Sequence, residues 1–460
     1  MKIYDHIIIG DGPVSRYFIY SRLKTQTFKP DKTLIIDAGE GLRALNKRTV
    51  VNSNIEYGAF RRQPSFHSGS SGFHWAGACQ GWPEEHFSKN LGDNGLPIDQ
   101  ADFCLMSKLA SNALGFKNFD FSVDKPRTHL GSKVTQNEPS IEKIYAKITS
   151  DPFLKQLKLD KKINTLQNFV ATSIEPNKGL LFIHGFDYPS LNELTLTTKE
   201  VYVANGTLEA TRLILNSKNF GLQFNENFVG KFLSDHLTLP FAEYATGNLD
   251  FFLRSFGKHK TFDQKYIWPR LKLQNKENEL LPPSFCHLDR FTYHKKEPLV
   301  FRIQRKMGMQ NLVKSGQNSG SFWLNLFVEK ENDEKNVITI SQNTEHLIPL
   351  LNVDFNVTEN ESKNLAEISQ IYEAALKAMC LISRVPTEDI TDGSVLLRRI
   401  SAGTHPSGTI RMSRSPSGGV VNQKLELWNH PNVKILGSAV FPRASATHPT
   451  FPAMILSHFS

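Results

Sequence analysis

Two imidazoles near the end of the chain have the chemistry of an acid–base pair. His405 and His448 each precede a proline, in THPSGTIRMS and ATHPTFPAM. Between them a short apolar strand, Val433 to Leu436, runs into Gly437-Ser438. A small-residue turn after a buried strand lets a ligand approach backbone N–H groups closely. Imidazoles on either side of such a turn can take or return a proton near neutral pH. His-Pro is also an ordinary turn dipeptide, and a third copy, His430-Pro431, lies just before the strand. The pair alone decides nothing, so the elements that would position it matter.

Tyr4 to Gly10 (YDHIIIG) holds a continuous apolar β-branched run, the pattern of a buried parallel strand. It enters Gly10-Asp11-Gly12-Pro13-Val14-Ser15, then a helical stretch from Arg16 to Leu23, then a second buried strand, Thr33 to Ile36. That strand ends at Asp37-Ala38-Gly39-Glu40. Strand, glycine turn, helix, strand and acidic residue make a dinucleotide-binding βαβ unit. Gly10 allows the sharp turn, Gly12 admits a pyrophosphate to the backbone, and Asp37 can accept hydrogen bonds from ribose hydroxyls. Ser15 replaces the third glycine, where the helix packs on the strand and a small Ser is tolerable. Lys199 to Asn205, then Gly206 and a helix from Thr207 to Ser217, repeat the arrangement, as a second glycine turn closing on the same cofactor would.

The small-residue stretch Ser65 to Cys79, with His74-Trp75 inside it, suits a backbone that wraps a ligand. Helices are expected over Asp99 to Leu114, Ser140 to Lys147 and Glu361 to Ile382, and strands over Asn168 to Ile174 and Leu180 to His184. From Leu237 to about Asn343 the chain is rich in Phe with strand-like alternation, as in Phe301 to Gln304 and Ser321 to Val328. This predicts an antiparallel sheet in a second, substrate-facing domain. The 460 residues carry a net charge of +9, with Lys and Arg spread rather than clustered. That excludes a nucleic-acid stripe. Cys79, Cys104, Cys286 and Cys380 share no C-x-x-C spacing, so reduced thiols are expected and no metal framework. No stretch reaches the roughly 18 apolar residues of a membrane span. No signal-peptide pattern precedes the first strand, and a cytoplasmic protein is expected.

These segments together resemble the glucose-methanol-choline (GMC) family of FAD-dependent oxidoreductases. The resemblance lies in IIIGDGPVS with IIDAGE, in SGSSGFHWAGACQGWPEEHF with GLPI, in VYVANGTLEATRLILNS with NENFVGKFLSDH, and in HPSGTIRMS through HPTFPAMIL. About half the chain is covered, in the family's order; residues 237 to 320 carry little of it. The resemblance implies an α/β fold: an FAD-binding Rossmann-like domain from residues 1–236 and 399–460, and an α+β substrate domain on an antiparallel sheet from 237–398. It implies a flavin-wrapping loop over 65–90. It also implies oxidation of an alcohol by hydride transfer to flavin N5, with His405 as general base and His448 as its hydrogen-bonding partner.

The implied cofactor contacts are Gly10, Gly12, Pro13, Ser15, Asp37, Ala38, Gly69, Ser70, Ser71, His74, Trp75, Ala76, Gly77, Val170, Asn205, Gly206, Gly437, Ser438, His448, Pro449 and Thr450. Gly437 departs from the family, which often has Asp there. The pyranose oxidase branch, which has a His-Trp pair like His74-Trp75, points to a sugar-like substrate. The Phe-rich segment 251–327 keeps a sterol-like alcohol as the alternative. A lyase on the same scaffold and a flavoprotein without turnover are the other readings, and dioxygen, a quinone or a redox protein could be the acceptor. In that branch the His is bonded covalently to flavin. Here a noncovalent contact of His74 is preferred, because the same pair occurs in members without the bond. Acid precipitation tests this: yellow colour that stays in the supernatant is expected, and colour in the pellet would establish the covalent bond.

Overall fold

The computed structural model describes residues 2–39, 50–57, 78–116, 140–147, 163–257, 259–260, 265–272, 281–293, 299, 303, 319–341, 347–379, 382–385, 393–402 and 405–460. Along the chain these include β1 (Ile3–Ile9), α1 (Pro13–Lys24), β2 (Thr33–Asp37), α2 (Gln100–Ala113), β3 (Ser140–Lys147), β4 (Asn164–Gln167), β5 (Phe169–Asn177), β6 (Leu180–Asp187) and β7 (Glu193–Val203). They continue with α3 (Thr207–Ser217), β8 (His236–Thr246), β9 (Lys265–Lys272), β10 (Ser284–Tyr293), β11 (Gly320–Glu329), α4 (Glu359–Met379), β12 (His430–Ile435) and α5 (Thr450–Leu456).

The first sheet is parallel in the order β12–β7–β1–β2–β4. Its strands are apolar on both faces: Ile7, Ile8, Ile36, Val201, Val203, Val433 and Ile435 are fully or almost fully buried. That is why they read as unbroken β-branched runs. The β5–β6 hairpin is attached antiparallel to β7. Both ends of the chain therefore meet here, with β12 reaching β1 through β7.

The second sheet is antiparallel in the order β8–β11–β10–β9–β3. Helix α4 covers it, burying Leu365, Ile368, Tyr372 and Leu376 on one stripe. The Tyr372 hydroxyl donates to the Ser284 carbonyl at 3.0 Å and so fastens the helix to β10.

The structure corrects several expectations. Ser140–Lys147 is a strand, not a helix, pairing with β9 from Ser140 opposite Lys272 to Lys147 opposite Lys265. The spacing of Ile141 and Ile144 suits a helix, but the pairing partner overrides that weak local preference. Helix α4 stops at Met379, and Ile382 begins a short strand paired to β8. His430-Pro431 lies within β12 rather than before it. Of Phe301 to Gln304 only Ile303 is described, and it is helical. The wrapping-loop contacts Gly69, Ser70, Ser71, His74, Trp75, Ala76 and Gly77 lie outside the described residues. Among the described residues no helix is long and apolar enough to cross a membrane.

A buried triad ties the end of β11 to the turn carrying His86 and the loop carrying Arg443. Glu329, at the end of β11, accepts from His86 Nε2 at 2.8 Å and from Arg443 Nε at 2.5 Å, and is 1% exposed. Burial pushes its carboxyl up, but His86 and Arg443 together outweigh burial and hold it below its usual range. Removing one partner of a buried ionic group leaves uncompensated charge. Glu329→Ala should therefore destabilise the protein by about 3–5 kcal/mol in denaturant unfolding. A loss below about 1 kcal/mol would show that the triad is dispensable.

Candidate active site

The parallel strands all end on one edge, where open α/β sheets take ligands. Gly10 has φ +102°, and a Cβ there would lie 2.7 Å from the Ala204 carbonyl oxygen, so only glycine fits between β1 and β7. At Gly12, Gly206 and Gly437 an added Cβ would meet nothing within 4 Å among the described residues, so this face of the turns is open to them. Helix α1 starts at Pro13 with Gly12 as N-cap and α3 starts after Gly206, neither with a side-chain cap. Among the described residues their first N–H groups thus meet no side-chain cap, as a diphosphate site requires.

Ser15 packs where the third glycine would be and donates to the Gly12 carbonyl at 2.8 Å. Asp11 could repel a diphosphate, but Arg16 engages both its oxygens, at 2.7 and 2.6 Å. At the end of β2, Asp37 is 6% exposed, and its Oδ2 has no partner among the described residues. Burial, with the nearby Asp11 charge, pushes its pKa up to about 6. A buried carboxylate oxygen without a donor fits a ribose hydroxyl. Ala38 packs against the small cluster of Val170, Phe186 and Ile348. Asn205 likewise presents a buried, unpartnered Oδ1. The residues present therefore fit the nucleotide half of FAD.

Ser438 turns the other way. Its hydroxyl donates to the Pro406 carbonyl at 2.8 Å, and Thr207 Oγ1 reaches the same oxygen at 2.7 Å. Gly408, Ile410 and Met412 donate from their backbones to Ser438, Ala439 and Val440. The strand that ends in Gly437 thereby fixes the position of His405.

His405 and His448 do come together, with ring centroids 5.2 Å apart. The sequence analysis missed a third ring. His236, the first residue of β8, lies 4.7 Å from His405 and 5.8 Å from His448. His405 Nδ1 and His236 Nε2 are 3.0 Å apart. Only the Asp-His step before a strand marks His236 in sequence. Buried Asp235 holds both backbones, accepting from His236 N at 2.7 Å and from His405 N at 3.0 Å. Stacked Phe285 and Phe327 stand edge-on to His448, with the Arg270 guanidinium 4.0 Å from the Phe285 ring centre and His287 alongside. A small crevice beside the rings is lined by Trp82, His236, His405, Ser445, Thr447 and Pro449. Thr450 opens α5 directly after Pro449.

The cluster is neutral at physiological pH. Burial, then the neighbouring His236 and His448, holds His405 well below the usual imidazole range. Burial, then His236, His287 and Arg270, does the same to His448. Burial takes His236 to about 4 against the pull of the Ser445 and Thr447 carbonyls. Ligand-capable atoms of the three rings lie within 4.8 Å of one another, close enough to hold a metal ion. Two of those nitrogens are engaged with each other, however, and Arg270 bears on the cluster with positive charge. The arrangement is better suited to accepting a proton than a dication.

Residues 332–457 match the family model described as GMC oxidoreductase. That segment carries His405 and His448. It is similar in fold to pyridoxine 4-oxidase from Mesorbium loti, at 13% identity, TM-score 0.59, with 99% of this chain and 97% of that one covered. A variant of formate oxidase from Aspergillus oryzae RIB40 shows 12% identity and TM-score 0.59, with coverage of 100% and 97%. No curated protein matches the sequence. The matched segment and the shared fold are those of FAD-dependent oxidoreductases acting on CH–OH donors.

Two outcomes follow at Asp37. Asp37→Ala should weaken FAD retention in dialysis; undiminished retention would remove its ribose role. Its folded pKa is raised from 3.8 to about 6, so the ionised form costs stability above that range. Asp37→Asn should then stabilise the FAD-free protein at neutral pH, on the order of 1–3 kcal/mol. No rise in its thermal midpoint would contradict the assigned environment.

Proposed function

We propose that the protein oxidises a hydroxyl group of a sugar-like polyol to a carbonyl, with His405 as general base and His448 as hydrogen-bonding partner. The observation that carries this reading is the meeting of two neutral imidazoles beside the open glycine edge. A neutral imidazole can take the hydroxyl proton as the C–H bond breaks. Bound FAD supplies the hydride acceptor at N5. The chain's own part is to hold the hydroxyl between His405 and His448, to remove its proton, and to keep the carbon facing the ring. Residues 1–236 and 399–460 form the FAD-binding unit in this reading, and 237–398 the substrate unit. Ser407, Ser445 and Thr447 in the crevice wall give a polyol polar partners. The Phe285–Phe327 wall favours the second reading, a flat sterol-like alcohol. In this reading the protein works in the cytoplasm, with dioxygen, a quinone or a redox protein as acceptor.

A panel of sugars and sterols added anaerobically should bleach the flavin with sugars; bleaching by sterols alone would reverse the ranking, and none by any alcohol would favour a lyase. His405→Ala and His448→Ala should each keep FAD yet slow flavin reduction at least ~10²-fold. Near-normal rates in both would remove the pair from the mechanism. Lowered pKa values keep a base unprotonated as pH falls. The reduction rate should therefore stay level down through pH 6.5 and drop only below it. An acid limb at or above 6.5 would contradict the neutral cluster.

A further inference from the structure

We propose that Trp82 is a specificity-determining residue, whose indole N–H donates to a second oxygen of the substrate beside the hydroxyl that His405 deprotonates. This rests on the reading of His405 as the base, and it adds the group that chooses between a polyol and an alcohol with one oxygen. Trp82 is 2% exposed and lines the crevice with His236, His405, Ser407, Ser445 and Thr447. Its Nε1 is buried and meets no acceptor among the described residues. A buried indole N–H usually has an acceptor, and it can only donate. A molecule that fills the crevice beside this ring therefore has to bring an oxygen.

Other hydroxyls of the wall have already committed their hydrogens. Ser407 donates to the Ser234 carbonyl at 3.2 Å, and Thr447 donates to Ser445 Oγ at 3.0 Å. Both oxygens can still accept from a ligand, but neither has a second hydrogen to give. A hydroxyl-rich molecule donates and accepts at every oxygen, so it matches two acceptors and one waiting indole. A sterol-like alcohol brings a single oxygen. Once that oxygen sits at His405, nothing remains for Trp82, and the buried N–H stays unpaired. Polar sites reject analogues that lack a polar group by this penalty.

The indole is also held in place. Phe441 packs on it with ring centroids 4.5 Å apart at 57°, and His86 meets it at 5.4 Å and 78°. His86 is fixed in turn by Glu329, at 2.8 Å from Nε2, and Arg443 engages the same carboxylate. In the β8–β11 ladder Glu329 lies opposite His236. The donor and the histidine cluster are thus tied to the same pair of strands. A donor fixed in this way selects by position, because the substrate oxygen must come to it.

The test uses the FAD-loaded protein labelled with ¹⁵N-tryptophan, and D-glucose, D-xylose, glycerol and cholesterol as probes. The chain has five Trp, and the Trp82 indole signal is the one lost in Trp82→Phe. A sugar should move that signal downfield, and cholesterol should leave it in place. Trp82→Phe keeps an aromatic ring and removes the donor. It should retain FAD and raise KM ~10-fold for the sugar that reduces the flavin fastest, with kcat little changed. Wild type should prefer that sugar to each of its monodeoxy analogues, and the variant should lose the preference over one of them. A merely structural Trp82 would weaken all of them alike. A signal unmoved by every polyol, or flavin bleached by cholesterol alone, would overturn the proposal. So would a signal that moves on FAD loading alone, which would assign the N–H to the cofactor. If Trp82→Phe does not fold, the wild-type spectrum decides, with Trp75, Trp268, Trp323 and Trp428 replaced by Phe in turn to identify the Trp82 signal by elimination. Should His405→Ala reduce flavin normally, the base assignment fails, while a Trp82 signal moved by sugar would still establish the donor.

Discussion

A single buried carboxylate sets the geometry of this site. Asp235 joins the start of a strand in the antiparallel sheet to the segment carrying His405, more than 160 residues later, by one hydrogen bond to each backbone N–H. Ser234 and Ser407 add a reciprocal backbone pair directly beyond it. Two sheets with separate cores are thus stitched beside the histidine cluster, and Thr207 with Ser438 grips Pro406 from the parallel-sheet side. The His405 backbone is held from three directions before its side chain makes any contact. An acid–base group needs that kind of restraint, since misplacement by an ångström is costly to rate.

The other constraint is desolvation. The imidazoles lie among Phe285, Phe327, Trp82 and one another, and burial is the largest influence on each. Burial disfavours the charged form, so the rings stay neutral and ready to accept. The same physics acts at the far end of the cradle, where burial raises Asp37 and leaves one of its oxygens without a donor. That oxygen, without a donor among the described residues, would be completed by a ligand. Between it and the imidazoles the open faces of Gly12, Gly206 and Gly437 leave the intervening edge clear of the described residues.

The sequence disclosed those parts whose function depends on local pattern. The β1 and β2 runs, the Gly10–Ser15 turn, Asp37 and the Gly206 turn are recognisable because a buried strand and a tight turn each demand particular residues in order. His405 and His448 are visible as motif residues, and the structure brings them together. His236 was not legible, because a lone His at a strand start carries no periodic signal and its partners come from positions 405 and 445–447. Ser140–Lys147 was misread for the same reason, since its identity as a strand comes from pairing with 265–272. Long-range pairing decides such segments, and short-range preference does not.

The central claim is that the glycine edge and the histidine cluster serve one bound FAD. An experimental structure of the FAD complex tests it most directly. The account predicts adenosine at Asp37, diphosphate at Gly12, and the flavin ring within contact of His405 and His448. A flavin ring lodged away from both imidazoles, or an adenosine that avoids Asp37, would contradict it.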